Sequence, residues 1–454
     1  MPRLFGTSGV RGVINAEVTP KLASKLGLAV SRLVGGKKIA VARDTRRSGI
    51  MLLSGLLSGI MAGGSDAVNL GIVPTPVLAF LTHALGHDAG AMITASHNPP
   101  EYNGIKLFDE AGMAYGPIQQ SKMEETVESG WEGMVGWNQV GGIVEADETG
   151  RYIEMICGKV QLTKNWNIVV DLGCGAAYFL APELLRLLGC HVTSLNSQPD
   201  GFFPGRTPEP SPEALAPLSM LVKAKGADIG IAYDGDADRV SFVDERGSFA
   251  SFDRSLAAMA SYSLRRSGGG TIVTPIDASM SMDDIAVREN GKVVRTPVGD
   301  VEVARAIKER GAIFGGEPCG AWIFPEFHMC PDGILSSIMF LDAIETENVS
   351  ASTFLSRVPE YPVLRSKVNC PSNDTSRIMS RLKERLPPRL REKVEVLTLD
   401  GIKVFTSDWW LLVRSSGTEP TIRITAEAKT QKKAEDLLEL GLSDVSNTVR
   451  EICN

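Results

Sequence analysis

Asp234, Asp236 and Asp238 alternate in the stretch D-G-D-A-D-R at 234–239. In a tight loop that spacing lets three carboxylates converge, and crowded carboxylates are unfavourable unless a hard cation such as Mg²⁺ sits among them. An EF-hand would need glycine where Arg239 stands and a helix where V-S-F-V alternates as a strand does, so Glu245 at the twelfth loop position is not an expected ligand. An acidic surface turn is the competing reading. A second stretch, A-M-I-T-A-S-H-N-P-P-E-Y-N-G-I-K at 91–106, begins as an apolar strand and then meets Ser96, His97 and two prolines. The prolines stiffen the loop and remove donors that would continue the sheet, so the Ser96 hydroxyl is left projecting from a rigid turn. No G-x-S-x-G elbow surrounds it, and in an extended chain His97 points away from it, so a Ser-His triad is not expected. A serine that carries a phosphoryl group beside an acidic metal loop is the better account.

Three further stretches are rich in hydrogen-bond donors or suited to hydroxyls. In F-G-T-S-G-V-R-G (5–12), glycines let backbone N–H groups turn toward an anion while Thr7, Ser8 and Arg11 add donors. R-S-S-G-T-E-P (414–420) has the same character: Arg414, Ser415, Ser416, Gly417 and Thr418, with Arg423 following, make a donor-rich cup that reads either as a phosphate cradle or as a capped turn. In G-G-E-P-C-G-A-W-I-F (315–324), Glu317 lies between small residues, where a carboxylate suits a vicinal diol. Cys319 reads as a small packing residue at that loop, not as a nucleophile, and His328 is a nearby imidazole.

These loops need elements to hold them. Short β-branched runs alternate with helical patterns, as in K-K-I-A-V-A-R-D (37–44), N-I-V-V-D-L-G (167–173) and T-I-V-T-P-I-D (271–277), which predicts α/β layering. Three segments, starting at Gly90, Gly226 and Gly311, share a layout of G-A, strand, polar loop and strand, and read as three related domains that each present one loop. The last ninety or so residues differ. Strand-like V-E-V-L-T (394–398), K-V-F-T (403–406), W-W-L-L-V-R and T-I-R-I-T-A-E-A lead to an amphipathic helix from about Gln431, the pattern of a smaller α+β unit.

A chain of 454 residues is too long for one core, and a net charge of −7 without a Lys/Arg block argues against a nucleic-acid surface. The apolar run around Leu52 to Ala62 is broken by Ser and Gly and too short for a membrane helix. M-P-R-L-F-G-T runs straight into a glycine-rich polar stretch, unlike a secretory signal. Seven cysteines without a C-x-x-C pair fit reduced thiols, so the expected location is cytoplasmic.

In chain order, G-T-S-G-V-R-G, T-A-S-H-N-P with N-G-I-K, D-G-D-A-D-R, T-P-V-G-D (296–300), G-E-P-C-G and R-S-S-G-T-E-P together resemble the α-D-phosphohexomutase family, which includes phosphoglucomutases, phosphomannomutases and phosphoglucosamine mutases. The resemblance implies three topologically similar α/β domains with mixed sheets (1–145, 146–245 and 246–365) and a C-terminal α+β domain (366–454) around a central cleft. It implies interconversion of hexose 1-phosphate and 6-phosphate through a phosphoserine at Ser96 and a 1,6-bisphosphate intermediate. By the same likeness Asp234, Asp236 and Asp238 hold Mg²⁺ against Ser96, while Arg11, His97, Lys106 and Arg239 assist proton transfer and neutralise the moving charge. Arg414, Ser416, Gly417, Thr418 and Arg423 match the cradle for the non-reacting phosphate, and Glu317 matches the sugar contact. Bacterial members usually read G-E-x-S-G-H here, whereas Cys319 and Ala321 stand in place of the serine and the histidine, which leaves two sugar contacts open and His328 either an incidental loop histidine or a substitute imidazole. The expected partners are small hexose phosphates, with no nucleic acid, no membrane, and a homodimer left open. A metal-dependent sugar-phosphate phosphatase and a non-catalytic sensor are the alternatives.

Overall fold

The computed structural model describes residues 4–6, 9–131, 134–370, 374–390, 392–416 and 420–453. Among these residues the strands form four sheets. The first holds β1 (Val10–Val13), β2 (Lys38–Arg43), β3 (Asp66–Ile72), β4 (Ala89–Ile93), β5 (Tyr102–Asp109) and β6 (Ile143–Glu145), in the order β1-β5-β4-β2-β3-β6. The second holds β7 (Asn167–Asp171), β8 (His191–Leu195), β9 (Ile229–Tyr233) and β10 (Val240–Asp244), ordered β10-β9-β7-β8. The third holds β11 (Gly270–Pro275), β12 (Gly291–Thr296), β13 (Phe314–Gly316) and β14 (Trp322–Ile323), ordered β12-β11-β13-β14.

One plan recurs in all three. A central strand pairs in parallel on both sides, and the last of the parallel strands turns back in an antiparallel hairpin: β4 with β5, β9 with β10, β13 with β14. Each hairpin connection is one of the polar loops singled out in the sequence. Helices cover both faces of the parallel part, which is why β4 and β9 are buried along their whole lengths and read as apolar runs rather than alternations. The helix Gly49–Ala62 is the apolar run of the sequence; its glycines let the helix Pro20–Val34 lie close, since a Cβ at Gly59 would fall 1.9 Å from the Ser24 carbonyl oxygen. No described helix is long and apolar enough to cross a membrane.

The fourth sheet is wholly antiparallel: β15 (Val363–Asn369), β16 (Glu395–Leu397), β17 (Ile402–Phe405), β18 (Trp409–Ser415) and β19 (Thr421–Ala428), ordered β15-β19-β18-β17-β16. Strand β15 and the helix Thr375–Arg389 add to the elements expected from the sequence. Alternation along β18 explains its double burial. Leu411 and Val413 join Ala434 and Leu437 of the helix Gln431–Cys453, while Trp410 and Leu412 face the other way and meet Ile276 of the third unit. The first three units share one continuous core, running from Val77 and Met92 through Ile231 and Phe242 to Ile272 and Phe314. The fourth has its own core and joins the third through that small apolar cluster.

Candidate active site

Ser96 sits in the β4–β5 connection with φ +50, a left-handed backbone that side-chain-bearing residues seldom adopt. Local bonds hold it there: the Ser96 N–H donates to Thr94 Oγ1 at 2.8 Å, and two turns follow, closed by Asn98 N–H to Ala95 O and Tyr102 N–H to Pro99 O. Ser96 Oγ donates to Asp234 Oδ2 at 2.6 Å across 138 residues of sequence. The two loops can approach so closely because residue 235 is glycine; a Cβ there would lie 2.5 Å from the Ser96 carbonyl oxygen.

The left-handed turn corrects the expectation for His97. In an extended chain it would point away, but here Nδ1 comes to 3.3 Å from Ser96 Oγ, and Nε2 lies 3.9 Å from Glu209 Oε2. Arg239 beside the ring, then burial and Arg11, push its pKa down to about 2, so it is neutral over the ordinary pH range. The Ser96 hydroxyl gives its hydrogen bond to Asp234, not to a basic imidazole.

Asp234, Asp236 and Asp238 each offer a carboxylate oxygen within 4.8 Å of the others, and all three side chains are buried. Asp236 Oδ2 accepts from Thr75 Oγ1, and Asp234 Oδ1 accepts from the Arg239 N–H at 3.2 Å. Asp236 Oδ1 and Asp238 Oδ1 are buried without a hydrogen bond among the described residues. Burial and the two neighbouring carboxylates push the Asp234 carboxyl well up. Burial also opposes the charge of Asp238, but Lys106 and Arg239 hold that carboxyl down at about 2. Three converging hard oxygen donors with two unsatisfied oxygens fit a divalent cation. The loop is not an EF-hand: β10 begins at Val240, where a helix would have to start, and Glu245 is occupied elsewhere, accepting from Ser352.

Lys106 reaches the same point from β5. Its Nζ donates to Asp238 Oδ2 at 2.8 Å and lies 3.5 Å from Asp300 Oδ2. Burial alone would lower its pKa, but Asp238, Asp300 and Asp236 outweigh that and hold it above the ordinary lysine value. Asp300 ends the T-P-V-G-D motif, which the sequence offered without a role for any residue in it. Arg11, on β1, lies against Gly104 of N-G-I-K, where a Cβ would meet its Cγ at 2.8 Å. Its NH1 donates to Asn98 Oδ1 at 3.4 Å, and its Nε is buried without a hydrogen bond among the described residues. Arg239 approaches Glu209 at 3.7 Å and Asp238 at 3.8 Å.

From the third unit, Glu317 is buried and accepts from the Gly299 N–H at 2.9 Å. Burial first, and then the Asp300 charge, push its carboxyl up to about 8. Burial likewise pushes the Cys319 thiol up, in keeping with a packing role and against a thiolate. His328 does not replace the missing imidazole. Nε2 is paired with Asp332 Oδ2 at 2.8 Å and Nδ1 accepts from the Cys330 N–H at 3.3 Å, so both ring nitrogens are committed to the start of the helix Gly333–Thr346.

In the fourth unit Arg414 and Arg423 are directly opposed on β18 and β19, on one face of the sheet. Ser415 pairs with Ile422 and therefore faces the other side. The Ser416 N–H donates to Thr421 O at 2.9 Å, closing the base of the loop. Thr7, Ser8, Gly417 and Thr418 lie outside the described residues. Asp400, unremarked in the sequence, connects this unit to the third: its Oδ2 lies 3.4 Å from Arg414 NH1 and accepts from the Val298 N–H at 3.1 Å.

The chain is similar to known proteins along almost its whole length. The family models for phosphoglucomutase/phosphomannomutase match residues 2–133 (alpha/beta/alpha domain I), 150–247 (domain II), 251–361 (domain III) and 367–440 (C-terminal domain). The "Probable phosphoglucosamine mutase" of Methanothermobacter thermautotrophicus is 46% identical over 435 residues, spanning 95% of each chain. Its namesake from Methanopyrus kandleri is 45% identical over 456 residues, spanning 100% of each. A crystal structure of a phosphoglucomutase/phosphomannomutase family protein from Burkholderia thailandensis is 28% identical, with a TM-score of 0.88 over 98% of this chain and 97% of that one.

Proposed function

This chain belongs to the phosphoglucomutase/phosphomannomutase family of phosphohexomutases, isomerases that move a phosphoryl group between the 1 and 6 positions of a hexose, and we propose that it does so through a phosphoserine at Ser96. The observation that carries the reading is the Ser96 hydroxyl, 2.6 Å from Asp234 inside a buried triad of carboxylates. The O–P bond of phosphoserine breaks as the free hydroxyl oxygen of a hexose phosphate bonds to phosphorus. The proton of that hydroxyl ends on the released Ser96 oxygen, with the neutral His97 ring 3.3 Å away to orient it by hydrogen bonding. The resulting 1,6-bisphosphate turns over in the cleft, and its other phosphoryl group returns to Ser96 by the same exchange. Asp234, Asp236 and Asp238 would hold one Mg²⁺, which when bound offsets negative charge on the phosphoryl oxygens. Lys106, Arg11 and Arg239 supply fixed positive charge around the transfer, where positioning and electrostatics carry most of the catalysis. Arg414 and Arg423 bind the phosphate that stays put, and Glu317 takes the sugar hydroxyls.

In this reading the four loops belong to domains 1–145, 146–245, 246–365 and 366–454, edges that fall close to the ends of β6 and β10 and the start of β15. The sugar we propose is glucosamine phosphate, supported by the names and 45–46% identity of two relatives that span almost the whole chain. All seven cysteines are free thiols, which supports a cytoplasmic enzyme. The test is product analysis with glucosamine, mannose and glucose 1-phosphates, Mg²⁺ and a trace of hexose 1,6-bisphosphate. Conversion to the 6-phosphate, with the highest kcat/KM for glucosamine, is expected. Release of inorganic phosphate without any 6-phosphate would make the protein a phosphatase.

A further inference from the structure

Arg46 lies in the loop that follows β2, out of contact with solvent, and none of its chemistry was visible in the sequence. An arginine has five N–H donors, and here every one is used. Nε donates to Asp44 Oδ2 at 3.0 Å, NH1 donates to the carbonyls of Pro99 and Tyr102, and NH2 donates to those of Ser96 and Asn98, with the four carbonyl bonds at 2.6–3.0 Å. Three of these carbonyls belong to the β4–β5 connection, and the fourth, of Tyr102, opens β5 directly after it. The carboxylate that orients the guanidinium is itself tied to that connection: Asp44 Oδ2 accepts from Thr94 Oγ1, whose oxygen accepts the Ser96 N–H. The Ser96 backbone is therefore held at both its N–H and its C=O by one buried charge pair.

The same knot faces the metal loop's own domain. The Phe203 ring stacks on the Arg46 guanidinium at 5.1 Å, and Thr45 Oγ1 donates to Cys174 O at 2.9 Å. Gly201 fits so tightly that a Cβ would fall 2.3 Å from the Arg47 nitrogen. In the second domain Arg206 has the matching arrangement. It pairs with buried Asp171 at 3.0 Å and donates to Tyr233 O, directly before Asp234. We propose that Arg46 is a positioning residue for phosphoryl transfer: by binding four carbonyls in and directly after the serine loop it holds Ser96 in its left-handed conformation, with Oγ aimed at the carboxylate triad. This inference rests on the mutase reading. A lysine in its place keeps the charge, but its single nitrogen carries three donors and cannot span four carbonyls and Asp44. Displacing a reacting group by about 1 Å can lower a rate by roughly 10²-fold.

The experiment compares wild type with Arg46→Lys and Thr94→Val, reading Tm, steady-state kcat and KM, and the single-turnover rate at which hexose 1,6-bisphosphate phosphorylates Ser96, followed by intact mass. Arg46→Lys is expected to lower kcat and the Ser96 phosphorylation rate about 10²-fold. KM should stay within about threefold and a tenfold excess of Mg²⁺ should not restore the rate, because binding and metal affinity are not what the residue supplies. If Arg46 only supports the fold, Tm falls while the folded enzyme phosphorylates Ser96 at the wild-type rate, and the proposal is overturned. Should Arg46→Lys not fold, Thr94→Val decides: about tenfold slower phosphorylation is expected from loss of the Ser96 N–H partner, and an unchanged rate overturns the proposal. Wild-type enzyme that takes no phosphoryl group on Ser96 sinks the mutase reading and this inference with it. A phosphorylated wild type with two unimpaired variants sinks this inference alone.

Discussion

Among the described residues two lysines are buried, one beside Ser96 and one at the junction of the third and fourth units, and their surroundings treat their charge in opposite ways. Lys106, beside the serine, is ringed by Asp238, Asp300 and Asp236, which hold it charged against the effect of burial. Lys403, on β17 between the third and fourth units, lies over the Trp410 ring at 4.2 Å and donates to the Ile276 carbonyl at 2.7 Å. There burial dominates, Arg295 adds to it, and the pKa is pushed down to about 7. The difference comes from the makeup of each region. Around Ser96, strands and loops from three domains share one core and are locked by buried ion pairs, so charge is concentrated and compensated. Between the third and fourth units the contact is a small apolar cluster and a few polar bonds, such as those from the Ser279 hydroxyl and the Met280 N–H to Glu427. In the proposed reaction the chemistry would fall on the side locked by buried ion pairs, and recognition of the distant phosphate on the side held by fewer contacts, which suits a site that must accept one sugar in two orientations.

The sharpest way to break this comparison is Ser96→Ala. The side locked by ion pairs should keep its fold while kcat falls by at least about 10³-fold, since the nucleophile itself is gone. Activity near wild type, measured after removing traces of native enzyme, would move the chemistry elsewhere. Next in size is the lysine pair. Lys106→Met leaves several carboxylates facing one another and should destabilise the protein by about 3–5 kcal/mol and abolish most activity. Lys403→Met removes a lysine that must give up its proton to be buried, so stability at pH 7 should be raised, opposite in sign to the loss at Lys106. Urea unfolding of both variants checks this, and equal losses would erase the distinction between the two regions.

The pH dependence sharpens the same point. With a folded pKa of about 7 against an ordinary 10.5, Lys403 binds fewer protons folded than unfolded between those values. Stability contributed at this site therefore rises with pH across that window and is flat above it. Wild type minus Lys403→Met, followed by urea unfolding from pH 6.5 to 10, should show that rise; a flat difference contradicts the assignment. The smallest effect belongs to Asp400→Asn, which weakens the link between Arg414 and the Val298 N–H. KM for the hexose phosphate should rise about tenfold with kcat within about threefold, the mark of lost uniform binding.

What was legible in the sequence was local. The carboxylate spacing at 234–238, the rigid loop at Ser96 and the repeated strand–loop–strand segments each need only a few neighbouring residues, and each became a hairpin connection of equivalent topology. What stayed hidden depends on long-range approach. Arg46 meets carbonyls some fifty residues away, Lys106 finds Asp300 from another domain, and Asp400 bridges two units. Composition and spacing carry no record of such meetings. His97 misled for a different reason: a single left-handed residue before it reversed the direction expected from an extended chain. His328 looked available because the partners of its two nitrogens, Asp332 and Cys330, show their purpose only when a helix starts between them and the core.

That Ser96 carries the phosphoryl group within reach of a cation held by three aspartates is the expectation on which every proposed step depends. It is tested most directly by incubating the enzyme with ³²P-labelled hexose 1,6-bisphosphate, with and without Mg²⁺, and mapping the label by peptide mass spectrometry. The account predicts one phosphoryl group per chain, on the peptide containing Ser96, transferred only when Mg²⁺ is present. Label on another residue, or full mutase activity with no label on Ser96, would contradict it.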